Sequence, residues 1–453
     1  MNVETERGRT IGHGRVWRGL LALAALGLLV NPAAGAAQDA GPTFTEDVAP
    51  ILQQSCQQCH QEGGMAPMAL TTYEEVRPWT SVIKTKVETR MMPPWHVDKR
   101  VGIQAFKNDI SLEEEEIRTI VEWVDGGAPQ GDPARMPPPV EWPDWTAWEL
   151  EEILGRPPDL IIRSDPYTIN PNGLDQWWEP EGPIEGLTGT RWAMAAETKP
   201  TEAGRPATHH ANSFKIPLGA ENSSGAISRF VVGKRWEIFP EDTGMRFDPG
   251  DRVRWNIHYF PIGEPVVDDV LQVGVWFYPE GHEPEQQTVG ESGFSSLRAG
   301  QTILIPPNGT QVTQGVHVLE KPARIYSLRA HQHLLGKSMT FEAIYPDGRV
   351  EVLNRLGWDF RWHITYLYED HAMPLLPRGT VLVITSEYDN TANNLNNPNP
   401  DRWVVYGRRT VDEMSHAQVG ITYFNTDEAF ERAVAEREET LRRLAVDQED
   451  GDE

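Results

Sequence analysis

The sequence has little cysteine, little positive charge and few long apolar runs, and each shortage argues against a class of protein or partner. Its 453 residues contain two cysteines, so a disulfide-dense secreted scaffold is excluded. Acidic residues outnumber basic ones by 67 to 41, and the resulting formal net charge of -26 argues against nucleic acid or an anionic membrane surface as a partner. The length predicts several domains rather than one core.

The longest apolar run lies near the N-terminus. Four arginines between residues 7 and 18 precede the apolar run Gly19–Val30, and Ala34-Gly35-Ala36 supplies small residues for cleavage. This order predicts a signal peptide over residues 1–36, and hence a periplasmic or otherwise exported protein with no membrane insertion after cleavage. An uncleaved anchor is the alternative, although twelve apolar residues are short for a bilayer span.

The composition and hydrophobic pattern of the sequence change along the rest of the chain, and these changes predict a multidomain protein. Helical periodicity comes first, then a proline-rich stretch, then short apolar runs broken by Gly, Pro, Asn and Asp that favour β-sandwiches. The predicted segments are a small all-α domain over 41–130, a stiff connector over 131–157, two antiparallel, jelly-roll-like β-sandwich domains over 158–295 and 296–426, and an acidic helical or disordered tail over 427–453.

Both cysteines fall in one motif, Cys56-Gln57-Gln58-Cys59-His60. Two thiols on one turn can add across the vinyl groups of a haem, and the histidine that follows can reach the iron from the same side. A zinc site would need further Cys or His ligands nearby, and no second Cys pair exists. The motif therefore predicts a covalent haem c held by Cys56, Cys59 and His60.

Met92 is the predicted sixth ligand of this haem. The run Met91-Met92-Pro93-Pro94 resembles the Met-Pro-Pro loop of class I cytochromes c, in which a thioether raises the haem potential. The all-α domain over 41–130 is accordingly expected to be a cytochrome c domain. Other side chains compete for the iron, and each has loop packing as its alternative role: Met65, Met68, Met91 and His96.

The β-half of the chain concentrates histidines in pairs and in strands. His331 and His333 are two residues apart, so on a strand both would project from one face and could share an ion. The adjacent His209 and His210 would point to opposite faces unless the strand is distorted or ends there. Taken singly, such a pair is usually surface decoration, and His258 would be a hydrogen-bonded core residue.

Four segments nevertheless occur in an order that resembles the type II copper, ascorbate-dependent monooxygenases, the family of peptidylglycine α-hydroxylating monooxygenase and dopamine β-monooxygenase. They are His209-His210-Ala211, Asn256-Ile257-His258-Tyr259, the stretch 329–337 and Asp412-Glu413-Met414. The resemblance covers residues 158–425. It implies two β-sandwiches that carry one copper each and face each other across a solvent-filled cleft.

The resemblance also implies a role for each matching residue. His209, His210 and His258 would bind an electron-transfer copper, and Arg329 would bind an anionic group on the substrate. The catalytic copper, where dioxygen is activated, would be bound by His331, His333 and Met414. Three nitrogen donors suit both oxidation states of copper, and a thioether favours Cu(I).

The chain departs from this family in two respects. The family's disulfides cannot form, because both cysteines belong to the haem motif. The Asn and Tyr that follow the methionine in peptide-hydroxylating members correspond to His416 and Gln418, which argues against a peptide C-terminal glycine as substrate. His416 either lines the substrate pocket or is an exposed residue. The remaining β-half histidines are expected to be structural: His282, His317, His363 and His371.

The expected function is hydroxylation of a C–H bond of a small organic substrate with O2. An external reductant, ascorbate-like or a redox partner protein, would supply electrons, and the haem would relay them to the two copper ions. One alternative is a periplasmic electron-transfer or copper-binding protein without oxygenase activity. Another is a sensor or scaffold in which the haem reports redox state.

Overall fold

A computed structural model of the chain describes residues 41–451 apart from residues 65, 143, 145, 174, 232, 233 and 299. The predicted signal peptide and the candidate ligand Met65 lie outside the described residues. Within that part of the chain, no helix is both long enough and apolar enough to cross a bilayer.

The helices before residue 155 are short, and one long helix of 25 residues follows the last strand. α4 begins at a capping box formed by Glu113 and Glu116, whose carboxylates accept backbone N–H groups of its first turn. The helices are α1 (Ala49–Ser55), α2 (Tyr73–Val76), α3 (Thr80–Glu88), α4 (Glu114–Asp125), α5 (Glu149–Leu154) and α6 (Asp427–Gly451). Single helical turns occur at Phe44–Val48, Arg77–Trp79, Pro133–Arg135, Arg205–Ala207 and Asp370–Ala372.

Strands are the main regular structure between residues 160 and 424. The strands are β1 (Val97–Gly102), β2 (Leu160–Arg163), β3 (Tyr167–Ile169), β4 (Gln176–Trp178), β5 (Glu181–Pro183), β6 (Arg191–Lys199), β7 (Thr208–Ile216), β8 (Gly225–Val231), β9 (Trp236–Ile238), β10 (Thr243–Phe247), β11 (Arg252–Tyr259), β12 (Val266–Asp269), β13 (Gln272–Phe277), β14 (Gln286–Phe294), β15 (Leu304–Ile305), β16 (Thr310–Val318), β17 (Ala323–His331), β18 (Gly336–Ile344), β19 (Val350–Gly357), β20 (Tyr366–Leu367), β21 (Leu375–Leu376), β22 (Val381–Asp389), β23 (Val404–Val405) and β24 (His416–Phe424). The predicted β-rich half is confirmed.

A ten-stranded sheet connects the two β-regions. Its main path runs β2-β13-β6-β10-β14-β24-β17-β20, and β14 joins the halves by pairing in parallel with β10 and antiparallel with β24. A five-stranded sheet built on β4-β11-β7-β8 covers the first half, and a second five-stranded sheet, β1-β19-β18-β22-β16, covers the other. The strand pairing therefore continues across the predicted boundary at residue 295.

Each covering sheet encloses its own apolar core. The first core lies between β7 and β11 on one side and β6 and β13 on the other, with Ala211, Ile257 and Val273 buried in it. The second lies between β17 and β24 on one side and β18 and β22 on the other, with Leu328, Phe341 and Val419 buried in it. Burial of apolar side chains from two facing sheets is the arrangement of a sandwich.

The segment 41–130 differs from the predicted all-α domain. α1, α3 and α4 surround a separate core that includes Leu52, Ile83 and Trp123, but α1 to α4 are short. Val97–Gly102 is a strand that pairs antiparallel with β19 and buries Val97 in the second sandwich core. The prediction of an all-helical domain is therefore corrected, because the edge of β19 offers backbone hydrogen bonds that an extended segment satisfies.

Candidate metal centre

The first histidine group sits where β7 and β11 pair. His210 lies opposite His258, whereas the next residue of β11, Tyr259, lies opposite Thr208. His209 is therefore the extra residue of a β-bulge. A bulge re-aims the side chain of the inserted residue, and this explains how two adjacent histidines can both approach His258.

The ligand atoms of His209, His210 and His258 all lie within 4.8 Å of one another. The Nδ1 atoms of His209 and His258 are 3.1 Å apart. Burial lowers the pKa of His210 well below its usual value and lowers the pKa of His258 to about 4. Neutral imidazole is the form that binds metal ions, so the protonation state of this group suits a metal.

Neighbouring side chains orient the first group. The indole of Trp177 stacks on His258 with ring centroids 4.2 Å apart and an interplanar angle of 4°. Asp175 Oδ2 lies 3.4 Å from His258 Nε2, which leaves Nδ1 directed towards His209. Partners of this kind behind a ligand fix its ring orientation and raise its basicity.

The second histidine group lies where β17 ends. His331 is the last residue of β17 and pairs with His416 of β24, while His333 lies in the turn that follows. The ring centroids of His331 and His333 are 5.5 Å apart. His333 Nδ1 lies 3.1 Å from the carbonyl oxygen of Asp412, so its Nε2 is available to a metal. Met414 lines the same cavity as both histidines.

Glu413, which the sequence does not single out as functional, holds this second group together. Its buried carboxylate accepts the backbone N–H groups of His333 at 2.9 Å, Leu335 at 2.7 Å and Met414 at 3.2 Å. Burial raises the pKa of Glu413 to about 8, although these N–H groups act in the opposite direction. One side chain thus fastens the turn that carries His333 to the segment that carries Met414.

His363, expected from the sequence to be structural, lies between the two groups. It belongs to the loop between β19 and β20, and its ring centroid is 5.2 Å from that of His209 and 5.0 Å from that of His331. Burial lowers its pKa well below the usual value. The resemblance implies a solvent-filled cleft between the groups, whereas here an imidazole contacts both. Neither strand spacing nor a motif marks His363, and only its aromatic surroundings in 358–362 set it apart.

One cavity of about 510 Å³ is lined by His210 of the first group and by His331, His333 and Met414 of the second. His416 and Gln418, the two positions that depart from the peptide-hydroxylating pattern, line it. Three arginines also contribute to its wall: Arg229, Arg329 and Arg408. Arg229 donates to Asn212 Oδ1 at 2.9 Å, and Arg408 forms an ion pair with Glu179 at 2.5 Å. The wall therefore combines imidazoles with guanidinium groups, a combination that suits an anionic ligand.

The haem motif forms a turn at the end of α1. The N–H of Cys59 and that of His60 both donate to the carbonyl of Cys56, at 3.2 and 3.0 Å. His60 Nδ1 lies 3.1 Å from the carbonyl oxygen of Met68, which leaves Nε2 for an iron. Burial raises the pKa of Cys56 to about 12 and also raises that of Cys59. Such surroundings disfavour the thiolate form of both side chains.

Met92 lies between α3 and β1. Its N–H donates to the carbonyl of Lys86 at 3.2 Å, and the sulfur of the neighbouring Met91 lies 3.7 Å from Lys86 Nζ. Both methionines are half-buried. The carbonyl of His96 accepts the N–H of Gly357 at 2.7 Å, so this end of the segment is bound to the β-half. The assignment of Met92 as sixth ligand stays a prediction.

No family model matches the chain, and no curated protein matches it. Solved structures with a partial likeness include the PBSX exported protein XepA, at 10% identity with a TM-score of 0.15, covering 51% of this chain and 86% of that one. Another is PNGF-II, at 9% identity and a TM-score of 0.24, covering 63% and 71%. A third is the infectious bursal disease virus VP2 subviral particle, at 10% identity with a TM-score of 0.17, covering 60% of this chain and 75% of that one. Likenesses this weak imply neither fold nor function.

Proposed function

We propose that the chain is an exported haem- and copper-containing monooxygenase that hydroxylates a C–H bond of a small organic substrate with O2. The observation that carries this proposal is that His210, from a triad of histidines spaced to hold a metal ion, lines the same cavity as His331, His333 and Met414. The order of the motifs resembles the type II copper, ascorbate-dependent monooxygenases. Copper bound there would supply the redox chemistry and the activation of dioxygen.

The donor sets differ in a way that suits two roles. His209, His210 and His258 offer three imidazoles, which bind both oxidation states of copper and so favour electron transfer. In the other set, Met414 adds a thioether to the imidazoles of His331 and His333, which favours Cu(I), the form that meets dioxygen. The buried neutral imidazoles need lose no proton to bind either ion.

Arginines in the cavity wall favour an anionic substrate. Arg329 lies on β17 two residues before His331 and is buried beside the second group. Arg229 and Arg408 line the same cavity. A guanidinium can hold a carboxylate or phosphate through two parallel hydrogen bonds and so orient a nearby C–H bond. Candidate substrates should therefore carry one anionic group.

Contacts between the haem segment and the β-half favour the haem as the electron source. Arg205, four residues before His209, donates to the carbonyl of Gly63, three residues after His60, at 2.6 Å. A second contact joins His96 to Gly357, which begins the loop that carries His363. Each contact joins a residue a few positions after a proposed haem ligand to a residue four or six positions before a histidine of the cluster.

Copper stoichiometry and oxygen uptake test the proposal. The protein loaded with excess Cu(II) and desalted should hold two coppers per chain, and Met414→Ala should hold one. With a reductant, the loaded protein should consume O2 when an anionic substrate is added, and mass spectrometry should find a product with one added oxygen atom. Absence of copper would refute the proposal. Two coppers without oxygen uptake would instead favour the electron-transfer alternative.

Stopped-flow spectroscopy tests the relay. Reduced haem in the copper-loaded protein should be reoxidised when O2 and substrate are added, and the copper-free protein is the matched control. Equal rates in the two samples would refute relay through the haem. The assignment of Met92 is tested separately, because Met92→Ala should abolish the near-infrared band of Met-to-iron ligation.

A further inference from the structure

We infer that His363 is a copper ligand, shared with His331, and that it joins the two histidine groups into one centre. The inference rests on the proposed copper-binding function. It adds a ligand that neither the sequence motifs nor the resemblance assigns. It also changes the arrangement, since the ion of the second group would lie beside the first group rather than across a cleft.

The distance between ring nitrogens supports this assignment. His363 Nδ1 lies 3.4 Å from His331 Nδ1. Two imidazole nitrogens bound to one ion at about 2.0 to 2.1 Å with tetrahedral angles are about 3.3 Å apart. The proposed first site has a comparable pair, because His209 Nδ1 and His258 Nδ1 are 3.1 Å apart. The two nitrogen pairs thus have similar spacings.

The other ring nitrogen of His363 points to the same conclusion. His363 is 5% exposed, and among the described residues no group forms a hydrogen bond with its Nε2. A buried polar atom left without a partner costs about 1 to 3 kcal/mol. The ring also lines the cavity and stacks 5.7 Å from that of His210. Because Nε2 makes no such bond, the ring is not held at that end, and copper at Nδ1 would offset part of the cost of burying this imidazole among other imidazoles.

The loop that carries His363 is held in place from both sides. Trp358 Nε1 donates to the carbonyl of His333 at 2.8 Å, and its ring lies 5.1 Å from that of His363. On the opposite side, Asn108 Nδ2 donates to the carbonyl of Thr365 at 2.8 Å. Ligands whose neighbours lock their position are the ones that can hold a metal in a defined geometry.

Copper titration of the full-length holoprotein tests the inference. His363→Ala should keep one copper at the wild-type affinity and bind the other at least about 100-fold more weakly, because removal of a ligand exceeds the 10- to 100-fold effect of an outer partner. His282→Ala, at an exposed histidine that contacts Asp242, is the matched control and should keep both. His363→Gln serves if the alanine variant does not fold.

A spectroscopic measurement separates ligation from packing. His258→Ala removes the first site, so pulsed electron paramagnetic resonance then reports only the second copper. The double variant His258→Ala, His363→Gln should show one fewer imidazole nitrogen coupled to that copper. If wild type binds two coppers while both the affinity and the imidazole number are unchanged by loss of His363, the inference is overturned and the proposed function stands. If wild type binds none, both fail.

Discussion

The two histidine groups are positioned by different means. The first depends on the register of β7 and β11 and on the bulge at His209, so its geometry is set by a ladder of backbone hydrogen bonds. The second has only His331 within a strand, and its remaining ligands lie in segments tied together by the carboxylate of Glu413. A site built on paired strands should tolerate the loss of a neighbouring side chain better than one that depends on a single buried carboxylate.

Acidification should weaken both groups and have the largest effect. Burial lowers the pKa of His258 to about 4 in the first group and of His333 in the second. Since the unfolded chain takes up these protons near pH 6.5, stability is fully present above that pH and is lost as pH falls towards the folded pKa. Urea unfolding of the copper-free protein at pH 8, 6 and 5 measures this, and equal free energies would contradict it.

Replacing Glu413 should disrupt the second group alone. Glu413→Ala leaves the N–H groups of His333, Leu335 and Met414 without their acceptor, which should lower the free energy of unfolding by about 3 kcal/mol or more. The control Glu387→Ala removes a partly exposed ion pair with Arg355 and should cost less than about 1 kcal/mol. Copper titration should find the first site intact; equal weakening of both sites would erase the distinction between the groups.

His258→Ala should disrupt the first group alone. Removal of one of three imidazoles should weaken one copper by more than about 100-fold and leave the other at its wild-type affinity. Met414→Ala is the complementary experiment and should lower the affinity for copper at the second group. Loss of the same copper in both variants would mean that the two groups bind a single ion.

Trp177→Ala should have the smallest effect. Stacking of this indole on His258 orients the ring without donating to a metal, and such contacts contribute about 0.5 to 1.5 kcal/mol. The affinity of the first group for copper should therefore fall by no more than about tenfold. Trp403→Ala removes an indole that is 55% exposed and is the control. A complete loss of copper in Trp177→Ala would show that the strand register alone does not hold the first group.

Short apolar runs and local motifs were sufficient to predict the β-rich half and part of the histidine groups. Side chains alternate along a regular strand, so His209 and His210 could share an ion only on a distorted strand. The bulge at His209 is such a distortion. The β-rich half follows from short apolar runs. His331 and His333 were predicted from strand spacing, although the strand ends at His331, so their proximity depends on the turn instead.

Long-range contacts account for what the sequence could not predict. His363 and Glu413 matter because of residues more than thirty and seventy positions away respectively, and no local pattern encodes those contacts. The strand β1 was missed for the same reason, since its partner β19 lies about 250 residues later. The continuity of the large sheet through β14 also depends on pairing between the two halves.

The pairing of β1 with β19 has a consequence for dissecting the protein. The connector over 131–157 is the obvious place to separate the two halves of the chain. A cut there would remove β1 and leave one edge of β19 without a partner strand. Such an edge is a template for pairing with another chain, so the isolated β-half should self-associate. Residues on both sides of the proline-rich stretch thus belong to one sheet, so a cut there divides a folded unit.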